Sequence, residues 1–326
     1  MSDAKPTVLV TAPLPDDLKA LVAERTDMVE TTADALAEPD EALKARMQEA
    51  VALLTTLRVK IDDAFMDSCP NVKTVSNFAV GFDNVDLQAV TRRKVMICNT
   101  PGVLDAAVAD VATILILMLG RRSLEYDRFV REGKWAGGPA PYARDIAGKR
   151  LGLFGMGRIG REVAKRARAF GLEVVYHKPS RDEATEAAGV ASYVDRDALF
   201  AESDFVSIHC PLKESTRGAV GAREIGLMKP TAYLVNTARG AIVDEEALIA
   251  ALKRGEIAGA GLDVMVTEPI GADHSLCSLP NVVLHPHIGS ATHETRRAMI
   301  ALAVQNLLDA VEGRSPRAVV DTANAT

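Results

Sequence analysis

Gly155-Met-Gly-Arg-Ile-Gly160 directly follows an apolar run, Leu151–Phe154, and directly precedes a helical pattern, Arg161–Phe170. A strand that turns on glycines into a helix limits what can surround it. The first glycine permits a tight turn, the second lets a phosphate approach bare backbone, and the third lets the helix pack close on the strand. The loop then offers a helix N-terminus to a dinucleotide pyrophosphate. Such a loop belongs to a parallel sheet, and the following sequence supplies one. Apolar runs recur at Val174–Tyr176, Phe205–Ile208, Ala232–Val235, Gly259–Asp263 and Val282–Leu284, with helical patterns between most of them. This rhythm predicts a doubly wound α/β unit of six strands.

A second series precedes it. Thr7–Val10, Met28-Val29, Ala50–Leu54, Val72–Val75 and Val95–Cys98 are short runs of the kind that form buried parallel strands, joined by amphipathic stretches. Asn99-Thr-Pro-Gly102 breaks the pattern, and a long apolar helix is expected from Asp105 through Gly120. Arg121–Arg150 contains Gly137-Gly138-Pro139 and Pro141, too irregular for one helix, and reads as an arm. A last helix is expected over Thr292–Val311, stopped by Gly313 and Pro316. A chain of 326 residues has room for two such domains, and it shows no solenoid repeat or low-complexity tract.

Composition narrows the partners. Hydrophobic residues make up 48% and charged residues 25%, as in ordinary globular proteins. A net charge of -6 with 4% aromatics supplies neither the basic surface nor the stacking platform of a nucleic-acid binder. The longest apolar stretch, Val111–Leu119, is about half a membrane span, and the start lacks a signal-peptide pattern, so a cytoplasmic protein without a membrane partner is expected. Cys69, Cys98, Cys210 and Cys277 lie far apart, which suits reduced thiols and gives no metal-binding spacing.

Three segments at the carboxyl ends of later strands are not needed by any core: Asn236-Thr-Ala-Arg239-Gly240, Asp263 with Thr267-Glu268-Pro269, and His285-Pro-His287-Ile-Gly-Ser290. Ligands of open α/β sheets bind at that edge. Reducing a 2-oxo acid with hydride requires a proton donor at the carbonyl oxygen and a cation for the carboxylate. His287 suits the first task because imidazole titrates near neutral pH. Arg239 suits the second, since guanidinium grips a carboxylate bidentately. Glu268 is placed to hold the far nitrogen of His287 and fix its tautomer. His274, His285 and His293 read as bystanders. The second strand of the glycine-loop unit ends Tyr176-His-Lys-Pro-Ser-Arg181, with no carboxylate before Asp182 to hold a ribose 2′-hydroxyl. Lys178, Ser180 and Arg181 would instead surround a 2′-phosphate, so NADPH/NADP is expected as cofactor with NADH/NAD as second choice; the competing reading is a set of ordinary solvated loop charges.

Taken in order, these residues resemble the D-isomer-specific 2-hydroxyacid dehydrogenase family. The resemblance is carried by Ala79-Val-Gly81-Phe-Asp-Asn84-Val-Asp86, Asn99–Leu104, Gly155–Gly160, Asn236–Gly240 with Val243-Asp-Glu-Glu246, Gly259–Asp263, Glu268-Pro269 and Pro286-His287-Ile-Gly-Ser-Ala-Thr292. It implies two Rossmann/flavodoxin-like domains with doubly wound parallel sheets. A cofactor domain, residues 100–286, would be inserted into a discontinuous substrate domain, residues 1–99 and 287–326.

Carried over position by position, the resemblance implies Arg239, Glu268 and His287 as catalytic residues. It implies that Val80, Gly81, Arg239, His287 and Ser290 bind substrate, the first two through backbone N–H groups. For the cofactor it implies Val108, Gly155, Met156, Gly157, Arg158, Ile159, Cys210, Pro211, Thr216, Thr237, Ala238, Asp263, His287 and Gly289. It also implies a homodimer held by the cofactor domains and the 121–150 arm. Arg128-Phe-Val-Arg-Glu-Gly-Lys-Trp135, the missing carboxylate and the short C-terminus are similar to glyoxylate/hydroxypyruvate reductases, in which an arm tryptophan reaches the neighbouring subunit's active site. Trp135 takes that role here, or simple interface packing. The expected reaction is NAD(P)H-dependent reduction of glyoxylate and hydroxypyruvate to glycolate and D-glycerate. The alternatives are an NAD-linked dehydrogenase for D-lactate or a bulkier acid, and a non-enzymatic dinucleotide-sensing binding protein.

Overall fold

The computed structural model describes residues 4–322. Among them, the strands form two wholly parallel sheets belonging to two compact units. The first unit joins both chain ends, up to Leu104 and from His293; the second runs Asp105–Thr292.

In the first unit, β1 (Thr7–Val10), β2 (Asp27–Glu30), β3 (Ala52–Thr55), β4 (Thr74–Asn77) and β5 (Met96–Cys98) lie in the order β2-β1-β3-β4-β5. This is the flavodoxin-like order. β1, β3 and β4 are buried throughout; β1 and β3 are largely apolar runs, whereas β4 buries Ser76 and Asn77 by donating to Ala303 O and Asn84 Oδ1. β2 is the exception: at the sheet edge its Asp27 and Glu30 are exposed and only Met28 and Val29 turn partly inward. The helix His293–Val311 seats Ile300, Ala303, Val304 and Leu307 against Val8, Val10 and Leu54. Each fully buried aliphatic side chain contributes roughly 1.5–3 kcal/mol. The fully buried Asn306 fixes the register, donating to Asn99 O at 3.1 Å and accepting from the N–H groups of Arg317 and Ala318.

The second unit contains β6 (Arg150–Phe154), β7 (Glu173–His177), β8 (Ser192–Tyr193), β9 (Phe205–Ile208), β10 (Tyr233–Asn236), β11 (Gly259–Leu262) and β12 (Val282–Leu284), ordered β12-β11-β10-β9-β6-β7-β8. The order reverses between β6 and β9, and that switch point is where ligands of doubly wound sheets bind. The helix Asp105–Gly120, buried along most of its length, shares an apolar core with the helix Arg158–Ala169.

Three expectations need correction. The second sheet has seven strands rather than six, because β8 is a two-residue edge strand too short to leave a periodic signal. The glycine-loop helix starts at Arg158, not Arg161, since the turn ends on Gly157. The arm is, as expected, no single helix: it forms a helix over Ser123–Arg131 and a 3-10 turn over Lys134–Gly137 and continues without regular structure. The unit borders fall after Leu104 and Thr292 instead of after 99 and 286. Thr100 is buried and donates its N–H to Ala79 O, which keeps that turn in the first unit. Asp263 holds the N–H groups of Ile288 and Gly289, which keeps His287 in the second.

Candidate active site

The glycine loop sits at the switch point. Gly155 adopts φ +107, and a Cβ there would fall 2.5 Å from Cys210 N and 2.6 Å from the His209 carbonyl carbon, so only glycine lets β6 end against the end of β9. A Cβ on Gly160 would stand 2.8 Å from Gly155 O, and the helix therefore packs directly on the loop. Gly157 faces open space, and no side chain caps the helix that it begins. The first-turn N–H groups are thus presented at an uncrowded backbone, which fits a pyrophosphate. Arg158 beside them is exposed, with Nε 3.3 Å from Asp105 Oδ2.

Further expected cofactor positions gather nearby. A Cβ on Gly289 would lie 3.1 Å from Asp263 Oδ2 and 3.3 Å from Val108 Cγ2, so these three residues are neighbours. Met156 is buried and Ile159 partly buried in the core beneath the loop. Thr237 is 8% exposed and its hydroxyl has no protein partner, an orphan that a bound amide or ribose would satisfy. Ala238 follows it, with its N–H on Asn236 Oδ1. Thr216 closes its own loop instead, donating its hydroxyl to Pro211 O and accepting from Lys213 N, both at 2.7 Å. Burial pushes the Cys210 thiol up to about 12, which leaves it a packing residue.

Charges beyond β7 are interlocked. Asp182 is buried and accepts from Arg161 at 2.5 Å and from Thr185 N at 3.1 Å; these contacts, Arg161 foremost, hold its carboxyl down to about 2. Lys178 Nζ lies 3.7 Å from the same carboxylate. Arg181 pairs with Glu186 and lies over the Tyr193 ring, and Ser180 is exposed.

The side chains expected to carry the reaction are built outward from β10, β11 and β12. Asn236, at the end of β10, accepts from Ala238 N at 2.9 Å and donates to Arg239 O at 2.8 Å, which shapes the turn that carries the half-buried Arg239. Gly240 then seats against the Met265–Val266 peptide so closely that a Cβ would fall 2.0 Å from the Met265 carbonyl. In that same loop, Glu268 Oε1 accepts from Met265 N at 2.9 Å, and Oε2 lies 2.7 Å from His287 Nδ1. A carboxylate held in this way accepts, so Nδ1 carries the proton and Nε2 stays outside the pair.

His287 itself has φ +53, a left-handed conformation rare for a residue with a side chain. Asp263 imposes it. The carboxylate is 1% exposed and accepts from Ile288 N at 2.7 Å and Gly289 N at 2.8 Å, anchoring the chain just past the turn. Burial raises the Asp263 pKa against the pull of those two N–H groups. Arg239, Glu268 and His287 are therefore joined by a continuous run of contacts inside one unit. Ser290 follows, its carbonyl accepting from Thr292 N. Val80 and Gly81 belong to the first unit, in the turn after β4, where Asn99 donates to Val80 O at 2.8 Å. Trp135 stands 68% exposed on the arm.

Sequence reasoning passed over His209. It lies under the glycine loop, with Nε2 2.8 Å from Ser207 Oγ, and burial pulls its pKa down to about 4. Its place in His209-Cys-Pro211 at a strand end was the available signal. An unfolded histidine titrates near ~6.5. The stability gained from keeping His209 neutral is thus fully present above about pH 6.5 and is lost as the pH falls towards 4, on the order of 3 kcal/mol across the window. Melting temperatures should decline over that range, and an NMR titration of the His209 ring with a midpoint above 6 would contradict it.

Among the described residues, no group of three His, Cys, Asp or Glu is arranged to hold a metal ion, and no helix is long and apolar enough to cross a membrane.

The comparisons with known proteins agree with this geometry. Residues 113–289 match the family model described as D-isomer specific 2-hydroxyacid dehydrogenase, NAD binding domain. The chain is 42% identical over 323 residues to a glyoxylate reductase of Thermococcus litoralis, covering 97% of each chain. It is also 42% identical over 313 residues to glyoxylate/hydroxypyruvate reductase B of Shigella boydii, covering 95% of this chain and 96% of that one. Among solved structures it resembles an NADPH-dependent glyoxylate/hydroxypyruvate reductase of Sinorhizobium meliloti, in complex with NADP and malonate, at TM-score 0.88 and 33% identity over 98% of each chain. With a matched nicotinamide dinucleotide-binding domain, a fitting glycine loop and these relatives, the chain is an oxidoreductase of the D-isomer specific 2-hydroxyacid dehydrogenase family.

Proposed function

We propose that the protein reduces small 2-oxo acids, glyoxylate and hydroxypyruvate, to glycolate and D-glycerate. The observation that carries this reading is the His287–Glu268 pair, with one carboxylate oxygen on His287 Nδ1 and the other on a backbone N–H, linked through the same loop to Arg239. A bound reduced nicotinamide supplies hydride to the carbonyl carbon. The Arg239 guanidinium holds the substrate carboxylate and so fixes the face that is presented. As the C=O π bond breaks, its electron pair goes to oxygen, which takes a proton from His287 Nε2. Glu268 keeps the ring oriented throughout. The half-exposed imidazole then recovers its proton from solvent.

NADPH is the favoured cofactor in this reading. The first carboxylate after β7, Asp182, is buried and engaged by Arg161 and Thr185, so it offers a ribose 2′-hydroxyl little. Lys178, Ser180 and Arg181 are the groups available to a 2′-phosphate, with Arg181 exchanging Glu186 for it. The chain also forms a homodimer in this reading. The arm would supply the pairing surface, since its helix Ser123–Arg131 buries none of its residues within the chain and Trp135 beyond it is exposed to reach the partner's site.

The test is oxidation of NADPH and NADH by purified protein with glyoxylate, hydroxypyruvate, pyruvate and phenylpyruvate. The expected result is fast NADPH oxidation with the two small acids, by protein that sediments at twice 34.8 kDa. Preference for NADH with a bulkier acid would overturn the substrate and 2′-phosphate assignments, and absence of turnover with all four acids would favour a binding protein. A one-chain mass would remove the dimer.

A further inference from the structure

The Met265–Val266 peptide is the joint between the anion clamp and the acid's partner. Gly240 abuts it on one side, and the N–H groups of Met265 and Val266 go to two different carboxylates. Met265 N donates to Glu268 Oε1 at 2.9 Å, and Val266 N donates to Glu245 Oε2 at 3.1 Å. Glu245 is the first residue of the helix Glu245–Arg254, and its side chain is only 18% exposed. Its other oxygen, Oε1, lies 3.3 Å from His274 Nε2, near the far end of the same loop. Between Leu262 and Ser275 that loop has no helix or strand of its own to hold its shape.

We propose that Glu245 is a positioning residue for the reaction: by gripping the Glu268 loop at Val266 and at His274 it sets where Glu268 holds His287. The inference rests on the acid and carboxylate roles proposed above. Arg239 is less dependent on this grip, since Asn236 fixes its turn separately. Loss of Glu245 should therefore lower turnover more than substrate affinity.

The experiment compares Glu245→Ala, Glu245→Asp and Glu245→Gln by steady-state kinetics with glyoxylate and by proton NMR. Alanine removes the acceptor, aspartate keeps the charge but withdraws it by one methylene, and glutamine keeps an acceptor oxygen in reach of Val266 N. The expected kcat is about tenfold lower for Ala, about fivefold lower for Asp and about threefold lower for Gln, whose amide keeps the Val266 N–H but cannot also accept from His274, and KM moves less than about twofold in all three. The NMR signature is the low-field resonance of the proton between Glu268 and His287, assigned by its loss in His287→Gln. It should vanish or broaden in Ala and Asp and persist in Gln.

If Gln is as impaired as Ala while Asp is normal, Glu245 acts only as a charge at a helix N-terminus and the proposal fails. Unchanged kcat and resonance in Ala would also overturn it. Should Ala fail to fold, the contrast between Asp and Gln decides. Should wild type turn over none of the acids, the functional reading fails, and the resonance alone still decides the positioning role.

Discussion

Replacing His287 with glutamine should lower kcat about 10³-fold and leave KM within a few-fold, a loss of about 4 kcal/mol of transition-state stabilisation. The amide fills similar space and can still donate a hydrogen bond, but it has no proton to give to the developing alkoxide. Binding of the reduced cofactor, followed by its fluorescence, should change little, because the glycine loop lies on β6 and the helix Arg158–Ala169. Glu268→Gln should be impaired less, since its amide still bonds His287 Nδ1 or Met265 N but cannot accept from both. A His287→Gln enzyme within tenfold of wild-type turnover would mean that the proton comes from elsewhere and would end the assignment.

Arg239→Ala should cost about 10³-fold in kcat/KM, mostly as a higher KM with some loss of kcat. A bidentate, charge-assisted grip on a small anion is worth about 2–5 kcal/mol when one partner is removed. The loss reaches kcat because the same grip fixes the carbonyl face, so a substrate bound without it samples unproductive poses. Arg239→Lys should recover only part of the affinity, for a point charge holds a carboxylate without orienting it. Saturation kinetics with glyoxylate separate the two constants, and a KM within threefold of wild type in the alanine variant would show that the carboxylate is held by other groups.

Strands buried on both faces are near-continuous aliphatic runs, which is why β1, β3, β6, β9 and β12 could be read directly from the chain. β8 escaped because Ser192-Tyr193 owes its strand state to pairing with β7, not to its own two residues. The unit borders were displaced for a similar reason. Asn99-Thr-Pro-Gly102 is turn chemistry, but hydrogen bonds formed after folding decide which side a turn belongs to. In the candidate site, Arg239, Glu268 and His287 could be singled out because the groups that would act are their side chains, and the structure brings them together. What holds them could not be. Asp263, Glu245 and Asn236 act on backbone N–H and C=O groups, which every residue carries, so no residue type marks the partner. The left-handed turn at His287 was likewise invisible, since histidine in sequence gives no hint of φ.

The Asp263 carboxylate stands at a position assigned to the cofactor pocket, yet both its oxygens are already committed to the chain beyond His287. In the proposed reading, anyone retuning nicotinamide affinity there would be altering the proposed proton donor, His287, as well. Even asparagine, the nearest isostere, offers one acceptor and one NH2 group, so it would set a donor against one of two N–H groups that both donate. If these roles hold, cofactor choice and acid geometry are not independent variables at residue 263, and design for another cofactor should begin after β7, at the proposed 2′-phosphate end.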